Sequence, residues 1–104
     1  MGYRSNGAVY LSEEAQKQFP MDLLKDWTKD DEHKGVWTFE QWKWYSEYEE
    51  IERFEDAYDK LEMSEDLTEN DYDIVIIGED GDVYPDLVPT GTKFSSYGGY
   101  SIND

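Results

Sequence analysis

Apolar residues recur along this chain with two different periods, and the changes between them mark its elements. Ala8-Val9-Tyr10-Leu11 follows Gly7 and reads as a short strand. Ser12 is placed to cap a helix, with Glu13 and Glu14 in the first turn, where the helix dipole favours acids. Phe19, Leu23 and Trp27 then recur at helical spacing, but Pro20 interrupts them. Either the helix kinks there, or a second helix begins with Pro20 at its first position. Residues 28–35 (TKDDEHKG) read as a polar loop. Residues 36–45 (VWTFEQWKWY) form the best strand by composition. Its alternation slips near Glu40-Gln41, because Trp37 and Phe39 share one parity while Trp42 and Trp44 share the other. A bulge, or burial on both faces, accounts for the slip.

Ser46-Glu47-Tyr48-Glu49 fits a capping box that opens a second helix. Ile51, Phe54, Tyr58 and Leu61 recur on one face of it, and the pattern ends near Met63. Residues 64–71 are an acidic loop. Residues 72–77 (YDIVII) are apolar on both faces apart from Asp73, which predicts a central strand. Asp80-Gly81 signals a two-residue hairpin turn, and residues 82–88 form the returning strand, demoted to an edge by Pro85. Phe94, Tyr97 and Tyr100 suggest one more edge strand. The order β-α-β-α-β-β predicts an α+β fold: a small, mostly antiparallel sheet with two helices packed on one side.

Length and composition narrow the class. The 104 residues suit a single domain, residues 1–104. Aromatic residues make up 16% of the chain, too many for a disordered tail, so the core should be aromatic. There is no cysteine, which excludes disulfides and thiolate zinc sites, and the single histidine excludes His-pair metal motifs. No apolar run approaches the roughly 18 residues of a membrane span, and no signal peptide opens the sequence. The charge is the outlier: 26 acids against 9 bases give −17, where about 2–8 in magnitude suits a small domain. The excess is localised. Residues 1–38 carry 7 acids and 5 bases, residues 39–71 carry 13 and 3, and residues 72–104 carry 6 and 1. Aromatic and aliphatic residues interleave the middle block, so it reads as the acidic face of a folded helix. A negative field of this size repels nucleic acid and anionic membranes.

No constellation for catalysis emerges. His33 sits in the loop Asp30-Asp31-Glu32-His33-Lys34 without a nucleophile to activate, and reads as a surface histidine. Gly78-Glu79-Asp80-Gly81 lacks the lysine of a phosphate loop. Asp80, Asp82 and Asp86 are oxygen ligands of the kind calcium takes, but the EF-hand pattern is absent and a solvated acidic turn is the expectation. The expectation is therefore a non-enzyme with no catalytic residues, no metal and no cofactor. The sharpest feature is the second helix. At 100° per residue, Glu49, Glu52, Asp56 and Asp59 form one stripe opposite the apolar face, flanked by Glu55 and Glu62. Like charges at i,i+4 cost about 0.2–0.5 kcal/mol each, so stability alone would alternate their signs. Duplex DNA carries one charge per roughly 1.7 Å, so 17 charges match about 29 Å of its axis, within a domain about 33 Å across.

Three segments carry a resemblance: Met1-Gly2-Tyr3-Arg4-Ser5 before the first strand; Trp42-Lys43-Trp44-Tyr45 with Tyr48-Glu49-Glu50-Ile51; and Ile76-Ile77-Gly78-Glu79-Asp80. In these the chain resembles a family of small, acidic, mostly uncharacterised bacteriophage and prophage proteins. The resemblance implies a viral accessory protein of the host bacterial cytoplasm, and carries over no catalytic residues. Charge and resemblance together lead to a DNA-mimic inhibitor that binds a host nucleic-acid-binding protein: a CRISPR–Cas effector, a restriction enzyme or another DNA-processing nuclease. The expected contact residues are Glu47, Glu49, Glu52, Glu55, Asp56, Asp59 and Glu62, with Glu79, Asp80, Asp82 and Asp86 as a second cluster; Tyr48 and Trp42 are candidate aromatic anchors. The competing reading is a structural or assembly accessory that binds another phage protein through an aromatic surface. A third, halophilic adaptation of an ordinary domain, fits the localised charge and the bulky aromatics less well. The oligomeric state is left open.

Overall fold

A computed structural model describes residues 4–45, 47–81, 83–84, 93–95 and 101–102. The elements run β1 (Ser5–Leu11), α1 (Glu13–Gln18), a 3₁₀ turn (Met21–Leu24), β2 (Thr28–Lys29), β3 (Val36–Trp42), α2 (Glu49–Met63), β4 (Tyr72–Gly78), β5 (Phe94–Ser95) and β6 (Ser101–Ile102). The fold is α+β. A four-stranded sheet in the order β2-β3-β1-β4 is antiparallel at every pairing, and β5 and β6 pair separately as a short ribbon.

Strand parity divides the sheet into two faces. Val9, Leu11, Trp37, Phe39, Ile74 and Ile76 point to the face that both helices cover, meeting Ala15, Phe19, Phe54, Tyr58 and Leu61. Ala8, Val36, Val75 and Ile77 point to the other face, where Phe94 and Ile102 of the β5–β6 ribbon lie against them. Gly7 allows one close approach. It pairs with Phe39, and a Cβ there would run into the Phe39 ring and meet the Val75 carbonyl at 2.9 Å.

The slip in β3 is a bulge. Ser5 pairs with Trp42 and Gly7 with Phe39, so β3 carries one extra residue, and Gln41 adopts φ 59°. The Asn6 Oδ1 accepts from the Gln41 N–H at 2.8 Å, and Arg4 donates to the Gln41 carbonyl at 2.9 Å. The extra residue returns Trp42 to the helix side, stacked on Phe39 at 4.6 Å between ring centres. Trp27 stands at the centre of the resulting cluster, stacked on Phe54 at 5.0 Å and edge-on to Phe39 and Trp44.

The helix boundaries are set by their caps and by proline. Ser12 Oγ accepts from the Ala15 N–H, as its position predicts, and α1 ends before Pro20. Beyond Pro20 the chain makes a single 3₁₀ turn, a shorter continuation than a second α-helix. The second helix starts at Glu49 with Tyr48 at its cap, and the Tyr48 side chain makes no capping hydrogen bond. Ser46 itself lies outside the described residues. Ile51, Phe54, Tyr58 and Leu61 are all buried, with Ala57 between them.

Four expectations about the strands and their turn are corrected. The loop over residues 28–35 contains a strand: Thr28 and Lys29 pair with Thr38 and Trp37, and the Lys29 ammonium sits 4.6 Å over the Trp37 ring. The turn after β4 centres on Glu79-Asp80, not Asp80-Gly81; the Gly81 N–H closes it on the Gly78 carbonyl, with Gly81 at φ 89°. Past it, Val83 bridges antiparallel to Ile77 and the Tyr84 N–H donates to the Ile76 carbonyl, as the expected returning strand requires; Asp82 and residues 85–88 of that strand, Pro85 included, lie outside the described residues. Phe94 begins no edge strand of the sheet but belongs to the ribbon packed on its second face, and Tyr97 and Tyr100 are outside the described residues. Finally, β1, not β4, is central. The paired strands leave β4 at the end of the sheet, and it is apolar on both sides because helices cover one face and the ribbon the other.

Asp73 explains how that ribbon is held. Its carboxylate is fully buried and accepts three backbone N–H groups, from Ile74 at 2.9 Å, Lys93 at 3.1 Å and Phe94 at 3.0 Å. A buried carboxylate is tolerated only with such donors.

Two stability measurements check this architecture. Phe54→Ala removes the ring stacked on Trp27 and should cost about 3–5 kcal/mol in denaturant unfolding. Asp73→Ala should cost about 3 kcal/mol and speed hydrogen exchange at the Lys93 and Phe94 amides more than at β1 amides. Unchanged exchange at those two amides would mean that something else fixes the ribbon.

Candidate acidic interface

The acidic stripe rests on the packing of α2. Burying Ile51, Phe54, Tyr58 and Leu61 against the sheet turns the opposite side of the helix to solvent. Glu49, Glu52, Asp56 and Asp59 all lie on that exposed side, spanning ten residues and roughly 15 Å. Glu47 and Glu62 are also exposed, and Glu55 is half-buried at the flank. Neutralisation is slight. Arg53 approaches Glu49 at 4.0 Å, whereas Glu52, Asp56 and Asp59 have no ion-pair partner among the described residues.

The two ends of the helix differ. Glu49, Glu50 and Glu52 occupy the first turn, where unpaired backbone N–H groups stabilise acids by about 0.3–1 kcal/mol each. Asp59 and Glu62 lie near the other end, where the same dipole opposes them. Partial burial, with Asp59 close by, holds the Glu62 carboxyl above its ordinary range. Burial also pushes the Tyr58 phenol well up, assisted by the charges of Asp73 and Glu62.

Sheet register places the second cluster. Ser5 pairs with both Trp42 and Gly78, so β3 and β4 end at the same end of the sheet. Glu79 and Asp80, both exposed in the turn after Gly78, therefore lie at the end from which α2 starts. Glu47 and Glu49 share that end, and Asp59 and Glu62 point to the opposite one. Asp82 and Asp86 are outside the described residues. Among the described residues, no group of three carboxylate or histidine side chains is arranged to hold a metal.

Two other sequence candidates change character. His33 is half-buried, with Nδ1 3.1 Å from Asp30 Oδ1. That carboxylate also accepts the Glu32 and His33 backbone N–H groups and is held below its ordinary range, chiefly by His33. Asp71, from the acidic loop, is a structural link. It accepts the Thr68 N–H at 2.9 Å and the Ser12 hydroxyl at 2.8 Å, which lower its pKa. Of the proposed anchors, Tyr48 is 39% exposed beside Glu47 and Glu49, and Trp42 is half-buried in the aromatic cluster.

One feature escapes sequence reasoning. A groove of about 620 Å³ opens between the 3₁₀ turn, the bulged end of β3 and the first turns of α2. Arg4, Lys25, Lys43 and Arg53 line it, opposed by Asp22, Asp26 and Glu50. These residues come from four separated stretches, so no local pattern announces them.

No protein-family model matches the chain, and neither a curated protein nor a solved structure is significantly similar to it. Among the described residues, no helix is long and apolar enough to cross a membrane.

The carboxylates make pH dependence a direct probe. Glu62, raised in the fold, adds stability as pH falls through its folded value, complete below its unfolded one. Asp71 and Asp30, lowered in the fold, contribute stability present above the ordinary aspartate value and lost as pH falls through their folded values. At low salt the melting temperature should therefore rise from pH 7 to about 5 and fall again below about 4. Added salt should raise it at pH 7 by screening. A steady fall from pH 7 to 5 would contradict a crowded acidic face.

Proposed function

We propose that this protein is a DNA mimic of bacteriophage origin, acting in the host bacterial cytoplasm as a non-enzymatic inhibitor. Its partner is a host defence protein with a basic nucleic-acid-binding surface, of the CRISPR–Cas, restriction or DNA-processing nuclease kind. It occupies that surface by charge and shape, and performs no chemistry. The observation that carries this reading is the exposed, almost unneutralised stripe Glu49-Glu52-Asp56-Asp59 on a rigidly packed helix. The scale supports it: 17 net negative charges match about 29 Å of duplex, and the molecule measures 41 × 30 × 24 Å. Carboxylates held on a packed helix present fixed charge, which steers association and lowers the ordering cost of binding. Tyr48, exposed among these acids, supplies an aromatic contact of the kind that anchors interfaces.

The test is reversal of the stripe. Glu49→Lys, Glu52→Lys, Asp56→Lys and Asp59→Lys together move the net charge from −17 to −9, since each adds two. All four positions are exposed and lysine is a good helix former, so circular dichroism should be unchanged. The wild-type protein should capture a nucleic-acid-binding protein from bacterial lysate and release it along a salt gradient. The variant should associate at least about tenfold more slowly, with a shallower salt dependence. Full affinity in the folded variant would remove the stripe from the interface. Capture that resists high salt would favour an assembly accessory instead.

A further inference from the structure

The groove beside α2 stands against the rest of the molecule's electrostatics. Four of the nine basic residues, Arg4, Lys25, Lys43 and Arg53, converge on it in a chain of net charge −17. Three carboxylates share its lining, so the local balance is positive by one. Lys25 and Lys43 form no ion pair among the described residues. Arg4 spends one donor on the Gln41 carbonyl and keeps the remaining N–H groups of its guanidinium fork. Arg53 approaches Glu49 of the stripe at 4.0 Å, whereas Arg4, Lys25 and Lys43 are not consumed in neutralising the acidic face.

An independent observation points the same way. Trp44 lines this groove and is 4% exposed, and its indole Nε1 is buried without a hydrogen-bond partner. An indole N–H only donates, so the missing partner must be an acceptor. A buried donor without one is costly, and each such orphan calls for an account. Trp42, half-buried at the same groove, is stacked on Phe39 through one face of its ring. The volume, about 620 Å³, falls in the range of small-molecule sites, which pair aromatic walls with a few placed polar groups.

We infer that this groove is a binding site for a small organic anion: a planar aromatic ring carrying an oxyanion, such as a carboxylate or phosphate. The ring packs against Trp42. The oxyanion accepts from the Trp44 indole N–H and is held by Lys25, Lys43 and the free edge of Arg4. A cationic ligand is disfavoured, because it would leave the indole donor unpaired and meet the four bases. The site faces the 3₁₀ turn and the bulge, and adjoins the exposed stripe through Tyr48 and Arg53, which line it.

The experiment is a titration followed by ¹⁵N–¹H correlation spectra of the four tryptophan indoles, with the Trp44 peak assigned from Trp44→Phe. The probes are 5′-AMP and indole-3-acetate, which carry a phosphate and a carboxylate; adenosine and inorganic phosphate supply the ring and the anion alone. At least one of the two ring anions should shift the Trp44 indole peak saturably with a dissociation constant of about 1 mM or tighter. Adenosine and phosphate should bind at least about tenfold more weakly. Lys25→Glu with Lys43→Glu, at exposed positions, should weaken binding about tenfold or more without changing the fold. Trp44→Phe, measured calorimetrically, should also weaken it about tenfold; it shrinks a ring packed among Trp27, Phe39 and Phe54 and so also lowers the unliganded unfolding midpoint. The saturable shift of the Trp44 peak by a ring anion separates a ligand-facing indole from one that merely fills the core. If neither ring anion moves the Trp44 peak, if adenosine binds as well as 5′-AMP, or if the charge reversals leave affinity intact, the inference is overturned.

Discussion

The extra residue in β3 is the constraint on which most of the molecule depends. Without it, strict alternation would send Trp42 to the face opposite Phe39. With Gln41 in a left-handed conformation, Trp42 lies on the helix side, and Trp44 follows into the same cluster. Trp27 then has four aromatic neighbours, and its ring gives Phe54 of α2 a flat surface to dock against. The bulge is tied by Asn6 and Arg4, which flank the start of β1, so the central strand and the aromatic cluster are fixed together. The same turn of backbone opens the groove.

An aromatic core of this kind also makes the charge tolerable. Repulsion among exposed carboxylates is spread along a surface, whereas rings such as Phe54 and Trp27 gain both buried area and specific stacking. The molecule carries acids where they are least costly and, at Asp59 and Glu62, where they are not. That placement is not the one that helix stability alone would favour.

Much of this architecture was legible in local pattern. The Ile51-Phe54-Tyr58-Leu61 face, the Ser12 cap, the break at Pro20 and the slip at Glu40-Gln41 each rest on spacing within a few residues, and each appears in the fold. What pattern could not supply was long-range. Residues 72–77 look like a central strand because both faces are apolar, yet the second face is covered by a ribbon about twenty residues further on. Asp73 reads as a blemish in that strand until the Lys93 and Phe94 amides are placed against it. The exposed acids of α2 are implied by the helical period, whereas the groove's bases come from loops and helix ends with no common period.

The position of β1 has a consequence for how the chain reaches this state. Ser5 pairs with Gly78 and Leu11 with Tyr72, so the strand at the centre of the sheet is completed by residues far along the chain. During synthesis β1 and β3 can meet early, but the second side of β1 stays open until β4 has left the ribosome. Until then a row of unpaired backbone groups beside Val9 and Leu11 is available to other chains. A strongly acidic α2, made before β4, gives nascent copies a mutual repulsion during that interval. The open edge of β1 and the charge of α2 are thus present together in the nascent chain until β4 is made.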